Sequence, residues 1–379
     1  AANAQQQLEQ ALKRLAVGGT ETGRAVAAFR IIGERTMDPA YWYMTAQREL
    51  RGRALTPEMR AAIDDLIGQG DKVGLSRLLG SLHRSTTADK AIALWKAGLL
   101  SNPATDVANI SGNVFMWSME GLKDVPATAL DRMVAVASGQ RTKALSPIVF
   151  GERIAGFGSG ARKAVEVLRK GDVADELLSK YDFNRSTNFD TPALQFYTQA
   201  VFRRLGAEDQ LFREPALRGS IAEQAVIQAR NAGLAGEAFL ARVRDLMKSP
   251  SERMLEIARG DAAYATFQQA SPAASLLARA TGVGRAAVEL TMPFRRTPFN
   301  IATTVLDYSP FGMPKAVIGG LRRAGAGRYL AQKYFVETAG RSVTGTALAG
   351  LGWAAVKAGV AIGRTDTGQQ RNQRRAAGM

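Results

Sequence analysis

Residues 293–300, Pro-Phe-Arg-Arg-Thr-Pro-Phe-Asn, interrupt a long run of helical sequence. Pro293 and Pro298 bracket an arginine pair that has a phenylalanine on each side. Proline has no N–H for a helix interior, and it biases the residue before it away from the α region. Helical periodicity leads up to this stretch and resumes after it. The stretch therefore predicts a rigid break between two helices.

The charge of the chain changes near the same place. From Ser271 onward there are 15 Lys and Arg against four Asp and Glu, and before it 35 against 30, in a chain of net charge +16. This excess predicts an anionic partner, either nucleic acid or an anionic membrane surface. A basic protein that is merely soluble is the alternative, because net charge bears on association and not on fold.

Cap signals and apolar spacing predict helices along nearly the whole chain. Thr56 before Pro57, Ser85, and Asn102 before Pro103 are N-cap signals. The helix after Asn102 is expected to run towards Ser138, with interruptions at two glycines. An amphipathic helix is predicted by five residues that share one face: Met254, Ile257, Ala258, Ala262 and Ala265. The glycines expected to interrupt are Gly112 and Gly121.

No run of alternating β-branched residues bounded by turns is present, so no sheet is predicted. The fold class is all-α: an elongated multi-helix bundle with a basic, Gly/Ala-rich C-terminal helical segment. The glycine-rich run 156–160 is read as a helix hinge, since it follows no predicted strand and completes no phosphate loop. The expected division is an N-terminal helical region (1–184), a central helical bundle (192–292), a Pro-bracketed break with a basic helix (293–340), an apolar small-residue helix (341–364) and a flexible basic tail (365–379).

The segment between Arg341 and Arg364 has 22 residues and one charge, Lys357. A helix of that length is about long enough to cross a hydrocarbon core. Two interpretations remain open: a membrane-inserting helix, which its central lysine and few large apolar residues weaken, and a buried central helix of a bundle. Small residues that let helix backbones approach form a stripe along it: Gly345, Ala349, Gly352, Val356, Gly359 and Gly363.

Signals of catalysis are sparse. The chain has no cysteine and one histidine, His83, so zinc sites built on several His or Cys and His-based triads are excluded. We expect no enzyme activity, no catalytic residue, no metal site and no cofactor. Basic residues interleaved with aromatics are instead expected to contact nucleic acid or lipid headgroups. These are Arg295, Arg296, Arg322, Arg323, Arg328 and Lys333.

Three stretches resemble motifs of one protein family. They are residues 94–105, Leu-Trp-Lys-Ala-Gly-Leu-Leu-Ser-Asn-Pro-Ala-Thr, continued by Asn109 and Asn113; residues 265–268, Ala-Thr-Phe-Gln; and residues 293–301. The family is the internal virion, or DNA-ejection, proteins of tailed phages, whose helical regions recur in large polyvalent phage proteins. The spacing of Asp209, Phe212, Arg213 and Ala216 is also similar, and the resemblance covers about residues 90 to 320.

The resemblance implies a structural protein that is packaged inside the capsid and enters the host cell envelope at ejection. It implies that the chain oligomerises and helps form a genome-delivery conduit. The implied partners are further copies of the chain, other ejection, portal or tail proteins, genomic DNA bound without sequence preference, and the host inner membrane. The alternative is a capsid-core or DNA-packing protein that binds DNA without membrane insertion.

Overall fold

A computed structural model describes residues 37–50, 53–71, 74–75, 78–79, 82, 85–170, 187, 189–269, 271, 294, 296–360 and 376. These residues form eleven α-helices and no strand, which confirms the all-α prediction. The helices are α1 (Pro39–Glu49), α2 (Pro57–Gly68), α3 (Thr87–Leu100), α4 (Pro103–Ser138), α5 (Pro147–Lys170), α6 (Pro192–Asn231), α7 (Gly236–Lys248), α8 (Glu252–Ala265), α9 (Arg296–Asp307), α10 (Gly312–Arg323) and α11 (Arg328–Lys357).

Helices α1 and α2 pack on each other around a small core of their own. Trp42, Leu50 and Ile63 are buried there together with Leu75. The hydroxyl of Thr56 accepts a hydrogen bond from the N–H of Met59, as the cap signal predicted. A side-chain oxygen at this position satisfies one of the backbone donors that the first helical turn leaves without a partner.

The start of α3 differs from the prediction. Thr86, and not Ser85, is the N-cap. Its hydroxyl accepts from the N–H of Asp89, whose carboxylate accepts from the N–H of Thr86. This reciprocal capping box requires an acidic residue three positions after the cap, and only Thr86 has Asp89 at that spacing.

Helix α4 begins at Pro103, as predicted, and ends at Ser138. Gly139, which follows it as the cap, has the left-handed conformation that favours glycine (φ 71°). The interruptions expected at Gly112 and Gly121 are absent, and α4 also continues through Pro126. Isolated glycines lower helix stability by about 1 kcal/mol each, and tertiary packing can overcome that cost.

The predicted hinge at residues 156–160 is also wrong, because these residues lie inside α5. Their glycines allow α6 to pack closely. A Cβ on Gly156 would lie 2.4 Å from the Cα of Pro215, and one on Gly160 would lie 2.7 Å from the carbonyl oxygen of Gln210. The glycines therefore serve helix packing, and α5 runs against α6 along much of its length.

Part of the stretch 293–300, which was predicted to break the helices, is helical in the structure. Pro293 and Arg295 lie outside the described residues, and so do two other residues singled out in the sequence, His83 and Gly363. Helix α9 begins at Arg296. Pro298 is therefore within the first turn of α9. Proline is tolerated there because the first N–H groups of a helix have no intrahelical partner.

Helix α11 crosses the expected boundary at residues 340 and 341 without interruption. The helix is buried on both sides of this point. A Cβ on Gly340 would lie 2.7 Å from the Cβ of Ala127 in α4, and one on Gly345 would lie 1.7 Å from the carbonyl oxygen of Tyr308. One helix therefore joins the predicted basic and apolar segments.

Candidate functional site

A cluster of ten charged side chains lies where α4, α5, α6, α8 and α11 meet. Five are cations and five are carboxylates, so the formal charges of the group balance. We call this group the ion cluster. Its members are Lys123, Lys143, Arg153, Lys333 and Arg341 with Glu120, Asp124, Glu223, Asp261 and Glu337.

Lys143, which precedes α5, enters the cluster fully buried. Its ammonium lies 2.9 Å from Asp124, 2.8 Å from Glu223 and 3.4 Å from Glu337. The cluster thus ties the segment between α4 and α5 to three helices. A buried ammonium requires such partners, since an uncompensated charge in a protein interior costs several kcal/mol.

Helix α11 contributes a row of three charges at four-residue spacing: Lys333, Glu337 and Arg341. This spacing places them on one helix face. Glu337 lies 2.5 Å from Lys333 and within 4 Å of Lys123, Lys143 and Arg341, so it is the most connected member.

Arg341 and Glu120 form a two-pronged pair, with N–O distances of 2.8 and 3.0 Å. The hydroxyl of Tyr308 donates to the same carboxylate at 2.9 Å, and the guanidinium of Arg341 lies 3.8 Å from the centre of the Tyr264 ring. Two tyrosines therefore surround the pair, and they connect α8 and the turn after α9 to α4 and α11.

The environment keeps these groups charged. Burial would raise the pKa of Glu120, but the charges of Arg341 and Lys123 outweigh burial and lower that pKa to about 2. Burial would lower the pKa of Lys333, but Asp261 and Glu337 raise it above its usual value. Burial would likewise raise the pKa of Glu337, and its lysine neighbours hold that pKa well below the usual range.

Two of the motif stretches of the resemblance come together around Asp209 of α6. Asn113 of α4 donates from its side-chain amide to a carboxylate oxygen of Asp209 at 3.3 Å, and Asn109 donates to the same oxygen at 3.4 Å. Gln268, which follows α8, donates to the other oxygen of Asp209 at 3.1 Å. Asp209 and Gln268 are both buried, so residues far apart in sequence share one polar centre.

The third stretch joins the second directly. The buried amide of Asn300 donates to the carbonyl oxygens of Phe267 and Gln269, at 2.8 and 2.9 Å. Phe267 has a positive φ of 56°, an uncommon conformation for a phenylalanine. Phe294 packs against the apolar core formed by α3 and α6. These motif residues therefore hold helix ends together.

The opposite side of α4 is apolar and exposed. One residue per turn forms an uncharged face that we call the outer stripe: Val107, Ser111, Val114, Ser118, Leu122, Val125 and Ala129. Spacing of three or four places these residues on one side of the helix. Val107 is 68% exposed and Val125 60%.

The charged residues between positions 107 and 131 all point inward: Glu120, Lys123, Asp124 and Asp131. Helix α4 is thus inverted, with charges inside and apolar side chains outside.

The last turns of α11 extend beyond the packed part of the helix. From Thr346 to Val360 nearly every residue is exposed, and we call this segment the arm. Leu351 is 66% exposed, Trp353 63% and Val360 83%. A helix that is apolar on all sides is ordinarily buried in a core or in lipid.

The residues predicted to contact nucleic acid or lipid headgroups differ in their exposure. Arg322, Arg323 and Arg328 are exposed at the corner between α10 and α11, where the Arg323 guanidinium lies 3.6 Å from the centre of the Tyr334 ring. The prediction that Lys333 contacts nucleic acid or lipid is wrong. Its side chain is buried and paired with Asp261 and Glu337, so it presents no surface charge. Arg296 is the first residue of α9, and its side chain lies outside the described part of the structure.

The predicted small-residue stripe is also divided. Gly345 touches the Tyr308 backbone, whereas the next four members, from Ala349 to Gly359, are exposed within the arm. The interpretation as a buried helix is therefore wrong for residues 346–360. No helix among the described residues is both long and apolar enough to span a membrane, and no group of side chains there could hold a metal ion.

No protein-family model, curated protein or solved structure matches this chain. The resemblance to internal virion proteins therefore stays a prediction from the quoted motifs.

The ion cluster was missed in the sequence for a physical reason. The row of Lys333, Glu337 and Arg341 has the spacing of an exposed, salt-bridged helix face, and no signal in a single sequence distinguishes that from a buried one. The outer stripe was detectable, because Val107, Val114, Leu122 and Val125 have helical spacing. Such a stripe is ordinarily assigned to the core.

Proposed function

We propose that this chain is a non-enzymatic structural protein of the internal virion type, which oligomerises and helps form a genome-delivery conduit across the cell envelope. One observation carries the proposal: α4 turns four charged residues inward and exposes an apolar stripe, and the last turns of α11 are exposed and mostly apolar. A subunit that works alone gains nothing from this pattern, because exposed apolar surface is favourable only when another surface covers it.

The arm supports the envelope part of the proposal. Its exposed leucines, valines and Trp353 are suited to a lipid phase or to an apolar groove, and Lys357 lies among them, 4.4 Å from the centre of the Trp353 ring. The exposed arginines of the α10–α11 corner lie at the other end of the same helix. Cationic side chains beside an apolar helix favour anionic lipid headgroups.

Flotation with anionic liposomes tests this part. The truncation should begin at residue 347, because Arg341, Ser342 and Thr344 are buried and their removal would disturb the packed helices. We expect the full chain to float with liposomes and the variant lacking residues 347–379 to remain in the lower fraction with unchanged circular dichroism. Equal flotation of both proteins would contradict a membrane role for the arm.

The alternative, a capsid-core or DNA-packing protein, is favoured by the same three exposed arginines. If it is correct, DNA binding is independent of sequence, and log K falls linearly with log salt by about 0.9 per phosphate neutralised. Exchanging Arg322, Arg323 and Arg328 for Gln should then flatten this slope. A matched triple exchange of the exposed Arg244, Arg253 and Arg259 on α7 and α8 is the control.

The position of the chain in particles separates the two proposals. An ejection protein is present in intact particles and missing from particles that have released their genome. Retention in the emptied particles would contradict ejection and support the capsid-core alternative.

A further inference from the structure

Helix α10 places its small residues inside and its large apolar residues outside. Gly312, Ala316 and Gly319 are its buried residues. A Cβ on Gly319 would lie 2.1 Å from the Tyr334 ring of α11, and one on Gly312 would lie 2.9 Å from the Cβ of Ser342. Helix α10 therefore packs closely, and antiparallel, against the first half of α11.

The outward side of α10 is a continuous apolar surface, which we call the α10 face. Its residues recur at helical spacing, so they share one side of the helix. Phe311 is 70% exposed, Ile318 51% and Leu321 72%. The members of the α10 face are Phe311, Pro314, Val317, Ile318 and Leu321. A single subunit leaves all of them in water.

Helix α9 extends the uncharged surface. Every exposed residue between positions 298 and 321 is apolar, and those of α9 include Ile301 and Val305. The two charged residues in this range, Asp307 and Lys315, pair with each other, and Asp307 is buried. Neither charge therefore interrupts the apolar surface.

Only positive charge borders the α10 face. Arg322 continues it by one turn beyond Ile318, and Arg323 and Arg328 follow at the α10–α11 corner. The chain has no Asp or Glu between positions 308 and 336, and Glu337 belongs to the buried ion cluster. Arg323 is held against α11, since it stacks on Tyr334 and donates to the carbonyl oxygen of Gly319 at 3.2 Å.

This charge pattern indicates what covers the α10 face. A second copy that met it through the same surface would bring more arginines and no exposed carboxylate to pair with them, and like charges across an interface are unfavourable. Nucleic acid would offer phosphates to the arginines but leave the apolar surface uncovered. An anionic bilayer offers phosphates at the headgroup level and acyl chains below them.

We propose that the α10 face lies in the interfacial layer of an anionic bilayer, with the axis of α10 parallel to the membrane plane. Its apolar side chains then contact the acyl chains, and Arg322 and Arg328 contact the phosphates. Helix α10 has 12 residues. At about 18 Å it is too short to cross a hydrocarbon core of about 30 Å, so it lies along the surface.

The arm is positioned to join the same contact. The hydroxyl of Ser342 donates to the carbonyl oxygen of Ser309 at 2.8 Å, so the arm begins beside the Phe311 end of α10. The apolar surface therefore runs from the base of the arm to the arginine corner, along the axis of α11.

This inference rests on the envelope part of the proposed function and deepens it, since it names a second lipid-contacting surface and the class of lipid. A fluorescent label at one position tests it separately from the arm. The chain has no cysteine, so a single introduced cysteine carries the label. A reversible interfacial contact is read at equilibrium with vesicles and not by flotation.

The experiment compares Ile318→Cys with Ala238→Cys on the exposed face of α7, each carrying an environment-sensitive fluorophore. We expect a blue shift of emission at position 318 with phosphatidylglycerol vesicles and none with phosphatidylcholine vesicles. Position 238 should not respond to either. Ile318→Cys in the chain that lacks residues 347–379 should keep its shift, because α10 lies in the packed part of the molecule.

Four results would overturn the proposal. They are no shift at position 318, an equal shift at position 238, a shift at 318 that needs only higher protein concentration, and a shift produced by duplex DNA instead of vesicles. If the full chain floats with liposomes while position 318 does not respond, the envelope role stands and this inference fails. If position 318 responds and the arm makes no difference to flotation, this inference stands and the role of the arm fails.

A pair of charge variants tests the arginines. Each basic residue beside an anionic membrane surface strengthens binding about five-fold, so Arg322→Gln with Arg328→Gln should weaken vesicle binding of the labelled arm-less chain on the order of 25-fold. Arg323 is left unchanged because it packs on α11. The matched control, Arg244→Gln with Arg259→Gln, removes the same charge from α7 and α8 and should leave binding nearly unchanged. Equal weakening by both pairs would mean that net charge alone attracts the chain, which would overturn the assigned contact.

Discussion

Helices α8 and α4 show opposite ways of placing charge. Helix α8 buries Met254, Ala258 and Ala262 and exposes Glu256 and Arg259. Helix α4 buries Lys123, Asp124 and Asp131 and exposes its valines and leucines.

The two helices differ in whether their apolar faces are covered within one chain. The α8 pattern is complete within one chain, because its apolar face is covered and its charges other than Asp261 are exposed. The α4 pattern is complete only when something apolar covers the outside. Buried ion pairs are also weak contributors to stability, and replacing them by apolar residues is often neutral or stabilising. The inverted helices are therefore better explained by assembly than by the stability of one subunit.

The largest effect is expected from removing the central cation. Lys143→Met leaves Asp124, Glu223 and Glu337 without their shared partner, and loss of one partner from a buried ionic group costs about 3–5 kcal/mol. Urea unfolding of this variant is compared with that of Arg253→Met on the exposed face of α8, which should change stability by less than about 0.5 kcal/mol. Equal effects would contradict the claim that the buried ionic group depends on Lys143.

Acid should act on the ion cluster next. Because the folded pKa of Glu120 is about 2 and its ordinary value is 4.5, its contribution to stability is present above about pH 4.5 and is lost as the pH falls towards 2. The contribution is on the order of 3 kcal/mol. Urea midpoints measured from pH 7 to pH 2.5 should stay nearly constant down to about pH 5 and then fall. Glu120→Gln should reduce that fall, and an unchanged acid profile would contradict the pairing with Arg341.

Helix α11 allows the packed and exposed parts of one helix to be compared. Gly345→Ala forces a Cβ into the Tyr308 backbone and should cost about 1–3 kcal/mol. Gly350→Ala, five residues later in the arm, meets nothing within 4 Å and should stabilise by about 0.5–1 kcal/mol. Thermal unfolding of the two variants checks the expected opposite signs.

A smaller effect is expected where the motif stretches meet. Asn300→Ala removes the donor shared by the Phe267 and Gln269 carbonyls and should cost about 1–2 kcal/mol. Asn300→Asp keeps the shape and loses the donor, so it should cost at least as much in a urea titration. A neutral result for Asn300→Asp would mean that the amide does not hold α9 to the end of α8.

The sequence was sufficient for the helical class and for two of the three helix starts that it predicted. Thr56, Asn102 and the Met254–Ala265 face are local signals that depend only on spacing. The glycines were misread because their role lies in another helix: Gly156 and Gly160 approach α6, which no local pattern reveals. Lys333 was misread for the same reason, since its partner Asp261 lies in another helix and is distant in sequence.

Sedimentation equilibrium of the wild-type chain and of the Val114→Glu, Val125→Glu double variant tests the central claim most directly. The two valines lie on the outer stripe, 47% and 60% exposed, so the exchange places charge where apolar contact is proposed without disturbing the interior. We predict a concentration-dependent oligomer for the wild type and a folded monomer for the double variant. A monomeric wild type, or an oligomer unaffected by the two glutamates, would contradict the claim that the inverted face of α4 is covered by another copy of the chain.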